Sequence, residues 1–375
     1  MAIIDTDVAI LGGGCAGLSL AVRLAGSNLR VTVIEPRLKY EADRVWSFFR
    51  TRADVFESCV RASWSKWYVS SAGVTVRRKS DHLRYECVSS GAFYQLAVQM
   101  CDAAPNLDLR LGTSVLADPR PPAMGGAWRV ETSAGQLASR YVIDTRPTGR
   151  TTGYGQSFLG QEIRVGFDAF DPTEVPMMCF AAPRTDRVDF LYILPFARDE
   201  ALVEVTTFGA KMPDISEHRL WLDREIAQLT RGQSFDVLRE ERAFIPMVLP
   251  QPRAAILAPR FAHAGLRGGA ARPSTGYAYQ RIQTMADICA AQLLRGRDDI
   301  DLAIDSPVTR FMDGVFLRVL QRRPDRGPAL FSALFRNAPA DRLERFLSGS
   351  TAPIDRLSVM ASLPPVPFLR EVFLG

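Results

Sequence analysis

Near its start the chain carries a glycine-rich turn between an apolar strand and a helix, and no other feature restricts the fold so tightly. Asp7-Val8-Ala9-Ile10-Leu11 is a short apolar run ending in Gly12-Gly13-Gly14-Cys15-Ala16-Gly17, and Leu18, Leu20, Ala21 and Leu24 continue at helical spacing. At a strand-to-helix junction the G-x-G-x-x-G spacing has a physical logic. Gly12 permits the turn, Gly14 lets backbone approach a pyrophosphate, and Gly17 lets helix and strand pack closely. The helix N-terminus then faces the phosphates. A second apolar strand, Arg30-Val31-Thr32-Val33-Ile34, ends in Glu35, about twenty residues beyond the glycines, where a carboxylate can accept hydrogen bonds from a ribose. Strand, turn, helix, strand and acid in this order predict a dinucleotide-binding domain. FAD is preferred over NAD, because the fingerprint opens the chain and no second copy follows.

The remaining segments predict an α/β fold: an FAD-binding Rossmann-like domain of the glutathione-reductase type, an inserted antiparallel β-sheet substrate domain, and a helical C-terminal region. Strands are expected at Trp67–Val69, Val74–Val76, Asn106–Arg110, Trp128–Thr132 and Tyr141–Asp144, and a helix from Ala92 to Met100. Phe190–Leu194 and Ala201–Phe208, separated by Ala197-Arg198-Asp199-Glu200, read as a β-hairpin. Helix periodicity returns from Met212 to Leu229, and Phe244–Met247 reads as a further strand. A second glycine-rich segment, Gly265 to Gly276, feeds a helix from Tyr277 onward and can present backbone N–H groups to a flavin or phosphate. Apolar helical faces follow, among them Phe311, Val315, Phe316, Val319 and Leu320, and core packing is the simplest reading of most of them. The boundaries predicted are 1–80, 92–150 and 255–300 for the FAD domain, 81–91 and 151–254 for the substrate sheet, and 301–375 for the helical region.

Composition narrows the function classes. The formal charge is +5, but cations are scattered among acids without a basic stripe, which argues against a nucleic-acid partner. The six cysteines are widely spaced, with no CxxC pair and no Cys/His ligand grouping, so neither a metal site nor a disulfide framework is expected. No segment reaches the ~18 unbroken apolar residues of a spanning helix and no leader pattern is visible. The expectation is a cytoplasmic protein whose membrane contact, if any, is peripheral and on the inner face.

Read together, the motifs resemble those of the bacterial flavoprotein lycopene β-cyclase family. Asp43-Arg44-Val45-Trp46 is similar to the family's D-R-x-W, Tyr85-x-x-Val88-x-Ser90-x-x-Phe93 to its Y-x-x-I-x-S-x-x-F, and Asp144-Thr145-Arg146 to its D-x-R. Phe158-Leu159-Gly160-Gln161-Glu162-Ile163, Phe170-Asp171-Pro172 with Met177-Met178, Tyr192-Ile193-Leu194-Pro195 and Pro273-Ser274-Thr275-Gly276-Tyr277 continue the resemblance, as does Leu363-Pro364-Pro365-Val366-Pro367-Phe368. Two positions depart from it. Cys179 stands where the family has an acid, and Val205 follows Glu204 where the family has an acid or aromatic residue, which weakens a two-acid mechanism.

The resemblance implies an enzyme that uses FAD and NADPH to close β-rings on lycopene, or a related apolar polyene, without net redox change. It implies Glu204 as the catalytic acid, with Asp43 the next candidate. Gly12, Gly14, Gly17, Glu35, Arg44, Gly268, Gly269, Thr275 and Gly276 would bind cofactor, and Trp46, Tyr192 and Tyr277 substrate. Three other readings stay open: a flavin monooxygenase, a cyclase of another polyene or terpenoid, and a non-catalytic flavin-binding protein of a pigment pathway. Against the first, flavin hydroxylases usually open the late glycine loop with Gly-Asp, whereas here Leu266 follows Gly265.

Overall fold

The computed structural model describes residues 5–122, 126–147, 153–211, 213–249, 259–350 and 352–374. The nucleotide fingerprint forms β1 (Thr6–Leu11), α1 (Cys15–Leu24) and β2 (Val31–Ile34), with β1 and β2 parallel. Alternation along β1 supplies two cores. Val8 and Ile10 pack with α1, while Ala9 and Leu11 pack on the other face with Trp128 and Val130. Both faces being covered, every residue of β2 is buried and the strands read as unbroken apolar runs.

Three short antiparallel strands come next in the chain or nearby: β3 (Val45–Phe49), β4 (Val60–Trp64) and β7 (Tyr85–Ser89), in the order β3-β7-β4. Between them lie β5 (Lys66–Ser71) and β6 (Val74–Lys79). Then α2 (Ser90–Asp102), β8 (Leu107–Arg110), β9 (Trp128–Thr132) and β10 (Gly135–Asp144) return to the nucleotide sheet.

The large sheet is built from β11 (Gly155–Val165), β12 (Glu174–Phe180), β13 (Arg187–Pro195), β14 (Glu200–Gly209) and, after α3 (Ile215–Leu229), β15 (Phe235–Pro246). Its order is β15-β11-β14-β13-β12-β5-β6, and the expected hairpin is present as β13 and β14. β16 (Phe261–His263) completes the nucleotide sheet, β16-β10-β1-β2-β8 with β9 beside β10, and α4 (Tyr279–Leu294) packs on α1. Among the described residues five helices follow: α5 (Pro307–Arg322), α6 (Gly327–Asn337), α7 (Ala340–Leu347), α8 (Pro353–Ser362) and α9 (Pro365–Leu374). α3 covers one face of the large sheet, and α5 to α8 contribute to the core on the other.

Several expectations change. β5 and β6, read within the 1–80 nucleotide segment, belong to the large sheet, where β5 runs parallel to β12. Tyr85 to Ser89, read within the substrate segment 81–91, instead pairs with β3 and β4. β15 begins at Phe235, nine residues ahead of the expected Phe244. Its first half is an exposed, charge-rich edge strand, the kind of segment that carries no apolar alternation. Tyr277 stays in the loop before α4, which starts at Tyr279. Phe311 is not core but exposed. The expected boundaries at 150–151 and 254–255, and Met212 at the expected start of α3, lie outside the described residues.

Candidate active site

Period-two alternation divides β14 between two environments. Leu202, Glu204 and Phe208 line a cavity of about 420 Å³, while Val203 and Val205 pack beneath α3 with Leu222 and Ile226. Pairing carries this division across the sheet. Tyr192 on β13 lies opposite Glu204, Glu204 lies opposite Gly160 on β11, and Gly160 lies opposite Glu241 on β15. One transverse row therefore holds a phenol, two carboxyls and a glycine between the carboxyls. A Cβ at position 160 would come within 3.2 Å of the Glu204 Cβ, so the glycine keeps this gap open.

Both acids are buried, at 6% exposure for Glu204 and 7% for Glu241. Burial and the neighbouring Glu241 charge push the Glu204 carboxyl up to about 8, against a hydrogen bond from Thr206 and the more distant Arg239. Thr206 Oγ1 donates to Glu204 Oε1 at 2.7 Å. Burial also raises Glu241, but Arg239 and the N–H of Val45, 3.2 Å away, both donate to its Oε2 and oppose that rise. The guanidinium pairs with Glu241 and not with Glu204, which favours the charge on Glu241 and the proton on Glu204.

Aromatic rings and C-terminal helices complete the cavity. Tyr85 and Tyr192 join hydroxyls at 2.8 Å, and Tyr277 lies beside them on the wall. Trp46 reaches the wall from β3, stacked on Tyr279 and edge-on to Phe93. Opposite the sheet stand Phe316 of α5, Phe331 and Leu334 of α6, and Phe368 of α9. All three residues expected to bind substrate thus share one cavity with Glu204. Asp43 is not on its wall. A hydrogen bond from Arg44 at 2.8 Å holds the Asp43 carboxyl below the usual range against the opposing effect of burial, so it is an ionised partner for arginine and not a proton donor. Arg44 itself is spent on this pair and is exposed.

The glycine fingerprint meets the demands of a dinucleotide. Gly12 has φ +100°, which favours glycine, and a Cβ on Gly17 would lie 1.9 Å from the Gly12 carbonyl oxygen. Around Gly14, by contrast, a Cβ would meet no described atom within 4 Å, and no side chain caps the helix it precedes. This open cradle before free helix N–H groups suits a pyrophosphate. Glu35 is buried at the end of β2 and also organises the turn. Its Oε2 accepts the Gly13 N–H at 2.7 Å, and its Oε1 accepts the N–H of Arg37 at 3.0 Å and Arg37 Nε at 2.7 Å. The second glycine segment packs on the first, since a Cβ at Gly265 would stand 2.6 Å from that of Ala16. Gly268 lies against the His263 carbonyl, Gly269 and Gly276 adopt positive φ, and Thr275 and Gly276 reach the cavity wall. A fully buried Arg272, paired with Asp313 at 3.1 Å and set over the Phe346 ring, ties this loop to α5 and α7.

A family described as "Lycopene cyclase protein" matches residues 7–372. The chain belongs to the lycopene cyclase family. It is 26% identical to lycopene beta-cyclase of Pantoea ananas, over 98% of this chain and 97% of that one. With chloroplastic lycopene beta cyclase of Arabidopsis thaliana the identity is 25%, over 77% of this chain and 60% of the relative. Solved structures share the fold at low identity. A geranylgeranyl bacteriochlorophyll reductase-like protein from Thermoplasma acidophilum superposes with TM-score 0.65 at 14% identity, covering 99% of both chains. A flavin-dependent brominase reaches 0.66 at 13%, covering 95% of this chain and 98% of that one. The fold is therefore that of FAD-binding flavoenzymes.

In this member of the family the two departures from the family pattern have a spatial answer. Val205 points at α3, so an acid there would not face Glu204 across the cavity. Cys179 does not line the cavity, although Met177 and Met178 do. The second carboxyl comes from Glu241, which the sequence reading missed. Its signal was present: once β15 is extended back to Phe235, alternation puts Glu241 on the same face as Ile245, and both line the cavity.

Proposed function

We propose that this chain is an FAD-dependent lycopene β-cyclase that closes the ψ-ends of lycopene into β-rings, giving β-carotene by way of γ-carotene, with NADPH serving only to keep the flavin reduced. The observation that carries the reading is Glu204, a buried carboxyl on the wall of an apolar cavity, pushed up to about 8 by burial and the neighbouring Glu241 charge. Glu204 would deliver its proton to C2 of the terminal double bond, leaving a tertiary cation at C1. The C5–C6 double bond then attacks C1, and loss of the C6 proton ends the sequence. No atom is gained or lost, so the reaction is an isomerisation. Tyr192, Tyr277 and Trp46 put aromatic rings on the same wall, where a π face would stabilise the cation, and the apolar lining would keep out water that quenches it. Gly12, Gly14, Gly17, Gly268, Gly269, Thr275 and Gly276 would hold the dinucleotide. When bound in reduced form, FAD would supply negative charge that stabilises a cation. In a lycopene-making bacterium the chain should convert the pigment to cyclic carotenoids. Unchanged lycopene beside flavin-loaded protein would contradict the reading.

Such a substrate lives in a bilayer, and the reading includes peripheral contact with the inner face of the membrane. Among the described residues no helix is long and apolar enough to cross one. Phe311 of α5, Met360 of α8 and Leu369 of α9 line the cavity and are also exposed, and Val366 and Phe373 extend the apolar surface at 72% and 78% exposure. The cavity thus opens onto an apolar rim that fits acyl chains. Val366→Glu with Phe373→Glu is expected to move the protein from the detergent-released membrane fraction to the soluble one, at unchanged FAD content. A doubly substituted protein that still sediments with membranes would refute this rim as the contact.

A further inference from the structure

We propose that Glu241 is the catalytic base that ends each ring closure by taking the proton from C6; the assignment rests on the lycopene-cyclising reading above. Glu241 and Glu204 sit on the same sheet face, one strand to either side of Gly160. At the usual strand spacing their Cα atoms are about 10 Å apart, with only the glycine between them. A substrate end lying over Gly160 has the acid on one flank and the second carboxylate on the other. Glu241 is also held as a base should be. Arg239 and the Val45 N–H both engage Oε2, while Oε1 accepts no hydrogen bond among the described residues and the side chain lines the cavity. Its orientation is fixed by a contact between domains, because Val45 belongs to β3 and Glu241 to the large sheet.

The chemistry balances within the pair. Glu204 loses its proton to C2 and becomes a carboxylate. Ring closure forms the C1–C6 bond and moves the cation to C5. The C6–H bond then breaks, its electron pair becomes the C5–C6 double bond, and the proton passes to Glu241. One proton is on the pair before and after, and returning it to Glu204, directly or by exchange with water, restores the enzyme. The ion pair with Arg239 favours that return, since it is satisfied only when Glu241 is ionised.

A base at C6 also selects the product. A cation at C5 can lose a proton from C6, from C4 or from the attached methyl group, and the three losses give isomeric rings. Glu241→Gln in the flavin-loaded full chain is therefore expected to lower β-ring formation by about 10² to 10⁴, the usual value of a positioned base. Residual rings should carry the double bond at C4 or outside the ring. Protonation remains reversible, so lycopene recovered from heavy water should contain deuterium at C2, whereas Glu204→Gln should leave it unlabelled. If Glu241→Gln loses flavin through misfolding, Glu241→Asp keeps the charge on a shorter arm and should show the same leak to isomeric rings. Either flavin-loaded variant making only β-rings at the parent rate would overturn the assignment, as would Glu241→Gln giving neither rings nor labelled lycopene. A parent chain that forms no rings at all would instead overturn the lycopene reading beneath it.

Discussion

Glu204→Gln is expected to abolish ring closure while FAD content and folding stay at the parent level. The amide is nearly isosteric and its oxygen can still accept from Thr206, so the strand keeps its contacts. What disappears is the transferable proton, and losing a positioned acid typically lowers the rate by about 10² to 10⁴. Cells carrying the variant should accumulate lycopene. The parent enzyme should also show the titration of this carboxyl. The acid acts only when protonated, and burial beside Glu241 pushes it up to about 8, so activity should fall about tenfold per unit above that pH, while protonation of Glu241 should lower it again on the acid side. A Gln variant with normal flavin that still cyclises at the parent rate would make Glu204 a structural acid.

Gly14→Val should cost the protein its FAD without costing it the fold. A Cβ at this position meets no described atom within 4 Å, and the backbone there is at φ −78°, which valine adopts, so the unliganded chain has room for the side chain. That room is where backbone must approach the pyrophosphate, and an isopropyl group fills it. The expected result is loss of flavin absorbance with unchanged far-ultraviolet circular dichroism. Gly17 offers the contrast. Its Cβ would strike the Gly12 carbonyl at 1.9 Å, so substitution there should destabilise the domain itself. A Gly14→Val protein that retains full flavin absorbance would remove the cofactor from this loop.

What could be read from the sequence was what neighbouring residues decide together. The fingerprint from Val8 to Glu35 is local, each glycine having a separate steric duty, and the structure places strand, turn, helix and strand as the spacing predicts. Glu204 stood out for a similar reason, as one acid within an apolar alternating strand, and β14 pairs in the expected hairpin. Glu241 did not stand out, because Phe235-Asp236-Val237-Leu238-Arg239-Glu240-Glu241-Arg242 lies on a sheet edge where solvent removes the apolar pattern. Its nearness to Glu204 depends on two registers with β11, and no single segment encodes them. The misassigned hairpin of β5 and β6 fails in the same way, since β5 joins the large sheet through β12, about a hundred residues downstream, and β6 follows it there. Asp43 misled because the motif that contains it is real, while its carboxylate is committed to Arg44 outside the cavity.

The most direct measurement is a mass spectrum of the carotenoid formed by flavin-loaded parent protein from lycopene in heavy water, without oxygen, under substoichiometric NADPH. A protonated Glu204 initiating an isomerisation predicts one solvent deuterium at C2 of each ring closed, with product exceeding the nicotinamide supplied. Rings without deuterium at C2, or product limited to one equivalent per NADPH oxidised, would contradict it.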